Sequence, residues 1–146
     1  MLELRALFLQ RWRIHRHIAD THEKRTWSVT GHAEFVPLAS SSARYFESVT
    51  LTDEARSMHA TRAYRYHARA SRELHIEFDD GSPFCSFVFA DSRATAEHQC
   101  AQDRYRGWME LVGAQRWTTR WLIDGPDKLI EILTTYTADT RPAIER

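Results

Sequence analysis

Two groups of residues in this chain have the types and spacing to do chemistry. The first is Tyr45-x-Glu47-x-Val49-x-Leu51 followed by Ala60-x-Arg62-x-Tyr64-x-Tyr66. Side chains two apart on a strand share a face, so a glutamate, an arginine and three phenols stand among aliphatics on faces that alternation turns inward. With a loop near Thr52–Ser57, Glu47 and Arg62 fall opposite or diagonal on neighbouring strands, within salt-bridge reach. Arg62 would hold an anionic group in its planar donor fork while Glu47 orients it. Arg16 lies on an inward face as well and adds a second cation. The plainer reading is a buried ion pair that sets strand register and holds nothing else.

The second group is His98-x-Cys100-x-x-Asp103-x-Tyr105. His98 and Cys100 share a face, and Asp103 and Tyr105 join it if a bulge lies near Gln102. A Tyr-Asp-His set can polarise a carbonyl or move a proton. Cys85, placed opposite Cys100, would complete three metal ligands. That spacing is looser than zinc sites use, and a buried free cysteine packs as a small hydrophobe; no metal and no cofactor is expected, and a hydrogen-bonded core network is the alternative. His15-x-His17 faces away from Trp12 and Ile14, toward solvent, and His22, His32, His59, His67 and His75 are scattered and expected at the surface. Trp12, Trp27, Trp117 and Trp121 land on inward faces with Phe35 and Tyr136, either as walls for a planar or apolar ligand or as filling for a narrow barrel. The chain has no phosphate-binding glycine loop, nucleophile elbow or HExxH motif.

The elements that position these residues are mostly strands. Residues 2–9 make two helical turns with Leu2, Ala6 and Leu9 on one side. From Arg11 onward the period is two, with strands expected around Trp12–Ile18, Trp27–Phe35, 44–51, 58–67, Leu74–Phe78, 84–89, a long segment 94–111, 116–123 and 129–137. Asp80-Gly81 suits the positive φ angles of a tight hairpin and Gly125-Pro126 marks another turn. Asp80-Gly81 as a two-residue loop sets Ile76 against Cys85 and Leu74 against Phe87. A loop over Asp91–Ala94 sets Phe87 against His98 and Cys85 against Cys100. After Gly125-Pro126, Ile123 meets Ile130 and Trp117 meets Tyr136. Each step keeps the apolar residues on one side. Nine or ten short-linked antiparallel strands with almost no helix describe an all-β, closed up-and-down barrel, closure removing the exposed edges; a two-sheet sandwich is the alternative.

At 146 residues the chain makes one domain, 1–146, large enough to bury a core. Residues 1–10 are its helical lid and 138–146 a frayed tail. Lysines plus arginines balance acids at 20 each, so no net field draws in nucleic acid or an anionic membrane. Met1–Gln10 holds Glu3 and Arg5 and has too short an apolar run for a signal peptide. No stretch approaches the roughly 18 apolar residues of a membrane helix, and two cysteines are too few for a disulfide framework. The expectation is a cytoplasmic protein, monomer or homodimer, whose partner is a small molecule.

Several motifs, in order, resemble those of the DUF6314 family. They are Trp12-Arg13-Ile14 with Arg16, Gly31-x-Ala33-x-Phe35, Tyr45-x-Glu47, Arg62-x-Tyr64, Asp80-Gly81 with Phe84, His98-x-Cys100-x-x-Asp103-x-Tyr105, Trp117 to Trp121, Gly125-Pro126 with Lys128, and Tyr136. The resemblance runs from about residue 10 to 137. The chain departs from it at Gln10-Arg11, where the family has a glycine before the tryptophan, and at Cys85, where it has a histidine. The resemblance implies a lipocalin-like (calycin-like) barrel and no particular reaction.

Three functions fit these residues. In the first, a barrel takes up a partly aromatic or acyl ligand with an anionic or carbonyl group. Arg16 and Arg62 meet the charge, Tyr45, Glu47 and Tyr64 orient it, His98, Tyr105 and Tyr136 add polar contacts, and Trp12, Trp27, Trp117 and Trp121 form walls under the lid. Haem with His98 as axial ligand is a variant of it. In the second, a solid-core domain serves as a scaffold or partner surface. In the third, a small enzyme uses His98, Asp103 and Tyr105 for acid–base chemistry.

Overall fold

Strict alternation of burial along the strands builds this protein, and it is cleanest on Ser42–Thr52, where Ala43, Tyr45, Glu47 and Val49 point in and their neighbours out. The structure is a computed structural model and describes residues 4–70 and 72–139. A 3-10 helix, Leu4–Leu9, precedes ten strands: β1 Trp12–Asp20, β2 Arg25–Ala39, β3 Ser42–Thr52, β4 Ser57–Arg69, β5 Glu73–Phe78, β6 Pro83–Ala90, β7 Arg93–Cys100, β8 Asp103–Gly113, β9 Arg116–Gly125 and β10 Lys128–Ala138. Each pairs antiparallel with its sequence neighbour, and β1 pairs with β10 to close the ring. The fold is therefore the lipocalin-like up-and-down barrel that the alternation implies, and the sandwich is excluded.

Ile123 opposes Ile130 and Trp117 opposes Tyr136, as expected. Three connections differ. The segment 94–111 is two strands, because the chain reverses over Ala101–Gln102, with Ala101 in the left-handed region at φ 54°. Asp91–Ser92 is a two-residue turn with Asp91 at φ 57°, so Val88 opposes Thr95 and Phe89 opposes Ala94. That moves each partner two residues from expectation, and Cys85 does not face Cys100. The β5–β6 connection spans Asp79–Ser82, with Gly81 at φ 90°, a conformation glycine adopts without steric penalty. A bulge at Phe84 absorbs the longer loop, so Ile76 still meets Cys85 and Leu74 still meets Phe87.

The barrel has a packed end and an open end. At the packed end, where β1 starts and β10 finishes, Trp12, Trp117 and Leu74 are at most 1% exposed. The helix sits there: Leu4 and Leu7 are buried, Leu7 O accepts from Trp12 Nε1 at 3.0 Å, and Phe8 packs on Phe35. Leu9, expected on the inner side, is 85% exposed, and Leu2 lies outside the described residues. The lid thus covers the filled end and not a cavity mouth. Ala138 and Asp139, placed by the sequence in a frayed tail, are held by hydrogen bonds to Gln115 O and Arg11 O at 2.9 and 2.8 Å; 140–146 lie outside the described residues. The opposite end carries only the turns at 21–24, 53–56, 79–82, 101–102 and 126–127. Among the described residues no helix is long and apolar enough to cross a membrane.

The register separates the two thiols chemically. Cys85 is buried, and burial pushes its thiol up to about 12, whereas Cys100 is exposed. A thiolate-selective reagent such as dithionitrobenzoate is expected to titrate one thiol per native chain and the second on unfolding. Cys100→Ser should abolish the fast phase; two fast thiols in the native protein would contradict this register.

Candidate functional site

The interior midway along the barrel is organised by a buried charge pair. Arg16 projects from β1 and Glu47 from β3, with β2 between them. On β2 the inward residues at this level are Val29 opposite Arg16, Ala33 opposite Glu47 and Gly31 between them. Arg16 Nη1 and Nη2 donate to Glu47 Oε2 and Oε1, both at 2.8 Å, and Nε donates to Thr134 Oγ1 at 2.8 Å. Tyr45 donates its hydroxyl to Glu47 Oε1 at 2.5 Å and lies 3.0 Å from the Tyr136 hydroxyl. Both charged side chains are almost out of water, at 5% and 2% exposure. Burial alone would raise the Glu47 carboxyl, but the Arg16 hydrogen bonds and charge, then that of Arg62, hold it down to about 2. Burial likewise works against the Arg16 cation, and its bonds to Glu47 outweigh that and hold its pKa above the ordinary value. Tyr45 and Tyr136 are both pushed up, chiefly by burial, and stay protonated donors.

Arg62 is placed differently. It sits directly opposite Glu47 on β4, with Nε 3.3 Å from Glu47 Oε2 and Nη1 3.4 Å from the Tyr64 hydroxyl, and its side chain is 46% exposed. Two cations against one carboxylate leave this cluster with one net positive charge, and the exposed partner carries it.

A cavity of about 410 Å³ extends from this cluster toward the open end. Arg16, Tyr45, Glu47, Arg62, Tyr64, His98, Tyr105, Trp121 and Tyr136 line it. Phe78 and Phe84 line it too, unforeseen. Phe84 follows Pro83 and precedes inward-facing Cys85, so alternation would turn it out; the bulge re-aims it. Tyr64, Phe84 and Trp121 form a near-parallel row, and Phe78, His98 and Tyr105 pack around it. Trp121 crosses its partner strand at Gly107, where a Cβ would come within 2.7 Å of the indole.

Other expectations are corrected. Trp117 is fully buried at the packed end, stacked 3.7 Å from Tyr136, and does not line the cavity; nor does Trp12. Trp27 lies outside it, between the guanidiniums of Arg25 and Arg56. Asp103 also lies outside, 3.2 Å from Lys128 Nζ, so His98, Asp103 and Tyr105 do not assemble, although His98 and Tyr105 are cross-strand partners. The ligand set His98, Cys85 and Cys100 does not assemble either. His15 and His17 are exposed as expected, but His67 and His75 are not free surface histidines. They oppose each other on the outer wall; His67 bonds Ser42 and Glu77 at 2.7 and 2.9 Å, and His75 bonds Ser86 at 2.8 Å.

The sequence profile of DUF6314, a family of unknown function, matches residues 8–138. No curated protein matches the sequence. Among solved structures, the S-type phycobiliprotein lyase CPES from Guillardia theta superposes with a TM-score of 0.66 at 10% identity, over 97% of this chain and 95% of that one. A protein of unknown function of the DUF3598 family from Nostoc punctiforme gives 0.62 at 11% identity, over 95% of this chain and 50% of that one. The redesigned β-barrel mFAP1, solved bound to DFHBI, gives 0.52 at 12% identity, over 93% and 99%. At these identities the likeness is one of fold.

Glu47 yields a signed acid dependence. Its folded value of about 2 lies below the ordinary 4.5, so its contribution to stability is whole above 4.5 and is lost as pH falls toward 2. Urea melts of the wild type should lose stability across that window, and Glu47→Gln should flatten that limb. At neutral pH Glu47→Ala should cost about 3–5 kcal/mol, because Arg16 stays buried without its partner. An unchanged melt for Glu47→Ala would refute the pairing.

Proposed function

The chain belongs to the DUF6314 family, and from its site we propose that the barrel is a binding module for a small, flat, aromatic or conjugated molecule carrying one anionic group. The observation that carries this is the division of labour between the two arginines. Arg16 has its Nε and both terminal nitrogens engaged by Thr134 and Glu47 inside the wall. It is architecture. Arg62 makes only long contacts, is half in water, and stands at the mouth with its fork available. An anion meets Arg62, and the ring behind it meets Tyr64, Phe84 and Trp121. Rings supply large contact area with little entropy to lose, and a charge-assisted bond to a guanidinium is among the stronger polar contacts. The cavity volume of about 410 Å³ falls within the range of small-molecule pockets. That mFAP1, a barrel of the same fold, was solved with DFHBI bound supports the capacity of the architecture to hold a small ligand.

The two alternatives have less support. A solid-core scaffold fits the packed end but not the aromatic cavity at the other. Acid–base catalysis by His98, Asp103 and Tyr105 would need Asp103 inside, and its carboxylate is paired with Lys128 instead.

The test is a fluorescence titration with 8-anilinonaphthalene-1-sulfonate, an aromatic monoanion. Saturable binding at one site per chain is expected. Arg62→Ala should weaken it by about tenfold or more, the worth of one charge-assisted hydrogen bond, and Arg62→Lys should recover part of the loss. The uncharged N-phenyl-1-naphthylamine should be insensitive to Arg62→Ala. No binding to the folded protein, or equal binding to wild type and Arg62→Ala, would overturn the reading.

A further inference from the structure

Phe84 occupies a bulge in the barrel wall, outside the ladders on both sides of its strand. The β6–β7 ladder has only three pairs, Val88 with Thr95, Phe89 with Ala94 and Ala90 with Arg93. Beyond them, Pro83–Phe87 and Ala96–Cys100 run side by side without pairing, a seam in the ring. On its other side β6 pairs with β5, but the register slips so that Glu77 opposes Pro83 and Ile76 opposes Cys85. Phe84 has no partner on either strand, and the preceding Pro83 has no N–H to give. At Phe84 the seam is closed by side chains, its ring meeting His98 across the gap at 5.0 Å.

The ring itself lies between two others from opposite walls. Its centroid is 5.9 Å from Tyr64 on β4 at an interplanar angle of 22°, and 5.2 Å from Trp121 on β9 at 28°. These separations are those of stacked aromatic pairs. A flat ring in the middle of the cavity, stacked on both sides and carried by the backbone position that no ladder fixes, has the shape and the contacts of a ligand.

Resting on the binding function above, we propose that the slot between Tyr64 and Trp121 is the aromatic subsite and that Phe84 is its displaceable plug. The plug withdraws toward the β6–β7 seam as the ligand's ring takes its place. Arg62 and Tyr64 are two apart on one strand face, and the Arg62 guanidinium stands 5.9 Å from the centroid of the Tyr64 ring, so a ring stacked on Tyr64 has a cation beside it. The slot therefore selects a flat aryl carboxylate or sulfonate. A bulky non-planar anion or a neutral arene meets only half of the site.

A plug and a wall predict opposite signs. If Phe84 must leave, the apparent affinity is reduced by the fraction of time the slot is open, and removing the plug lifts that reduction. Phe84→Ala should then bind anilinonaphthalene sulfonate about tenfold more tightly than wild type, and Phe84→Leu, which keeps bulk but not the flat ring, should improve binding by less. In stopped-flow mixing the wild-type rate should level off with rising probe concentration, while that of Phe84→Ala stays linear. A cooperative thermal melt certifies each variant as folded, and Phe84→Leu carries the test if Phe84→Ala is not. Weaker or equal binding in a folded variant overturns the plug and leaves the Arg62-dependent site standing. Failure of the wild type and both variants to bind the probe overturns the subsite and the binding function together.

Discussion

A guanidinium and a carboxylate lie almost wholly out of water in the waist of this barrel, and the arrangement of the interior follows from keeping them paired. Neither charge tolerates burial alone, so Arg16 reaches over β2 to grip Glu47 with both terminal nitrogens, while Thr134 takes the remaining Nε–H. Tyr45 completes the carboxylate, and Tyr136 completes Tyr45. Four strands, β1, β3, β4 and β10, contribute to this one network once Arg62 is included. A network so nearly satisfied is rigid, and the guanidinium it leaves half in water is that of Arg62.

The same network marks the boundary between two kinds of interior. On one side the space is filled by the indoles of Trp12 and Trp117, the Tyr136 ring stacked on Trp117, and the helix that closes the end. On the other side aromatic residues are as plentiful but do not fill the volume. The difference is one of support. The packed end is closed by a helix, whereas the open end has the short β5–β6 hairpin, a bulge and the β6–β7 seam.

Much of this was legible in the residues. Alternation gives parity, and parity identified the inward faces, the barrel class, the Glu47–Arg62 opposition and part of the cavity lining. Parity says nothing about depth along the axis, which is why Trp117 and Trp121 looked equivalent although one is in the packed end and the other in the cavity. Nor does it give partner choice across a strand. Arg16 and Arg62 both read as ligand contacts, and only the built barrel shows Arg16 reaching across β2 to be consumed by Glu47. Tight turns set the remaining limits. Ala101–Gln102 and Asp91–Ser92 carry no glycine, so nothing in their composition announced the left-handed residue each contains. The bulge at Phe84 exists to reconcile a four-residue loop with the ladder beyond it, a conflict that appears only once both are built.

An even number of antiparallel strands returns the polypeptide to the side from which it entered. Leu4 and Asp139 consequently share the base of the vessel, and its lip is made of short reversals with little to rearrange. The residues that line the cavity accordingly stand on the staves and not on the rim.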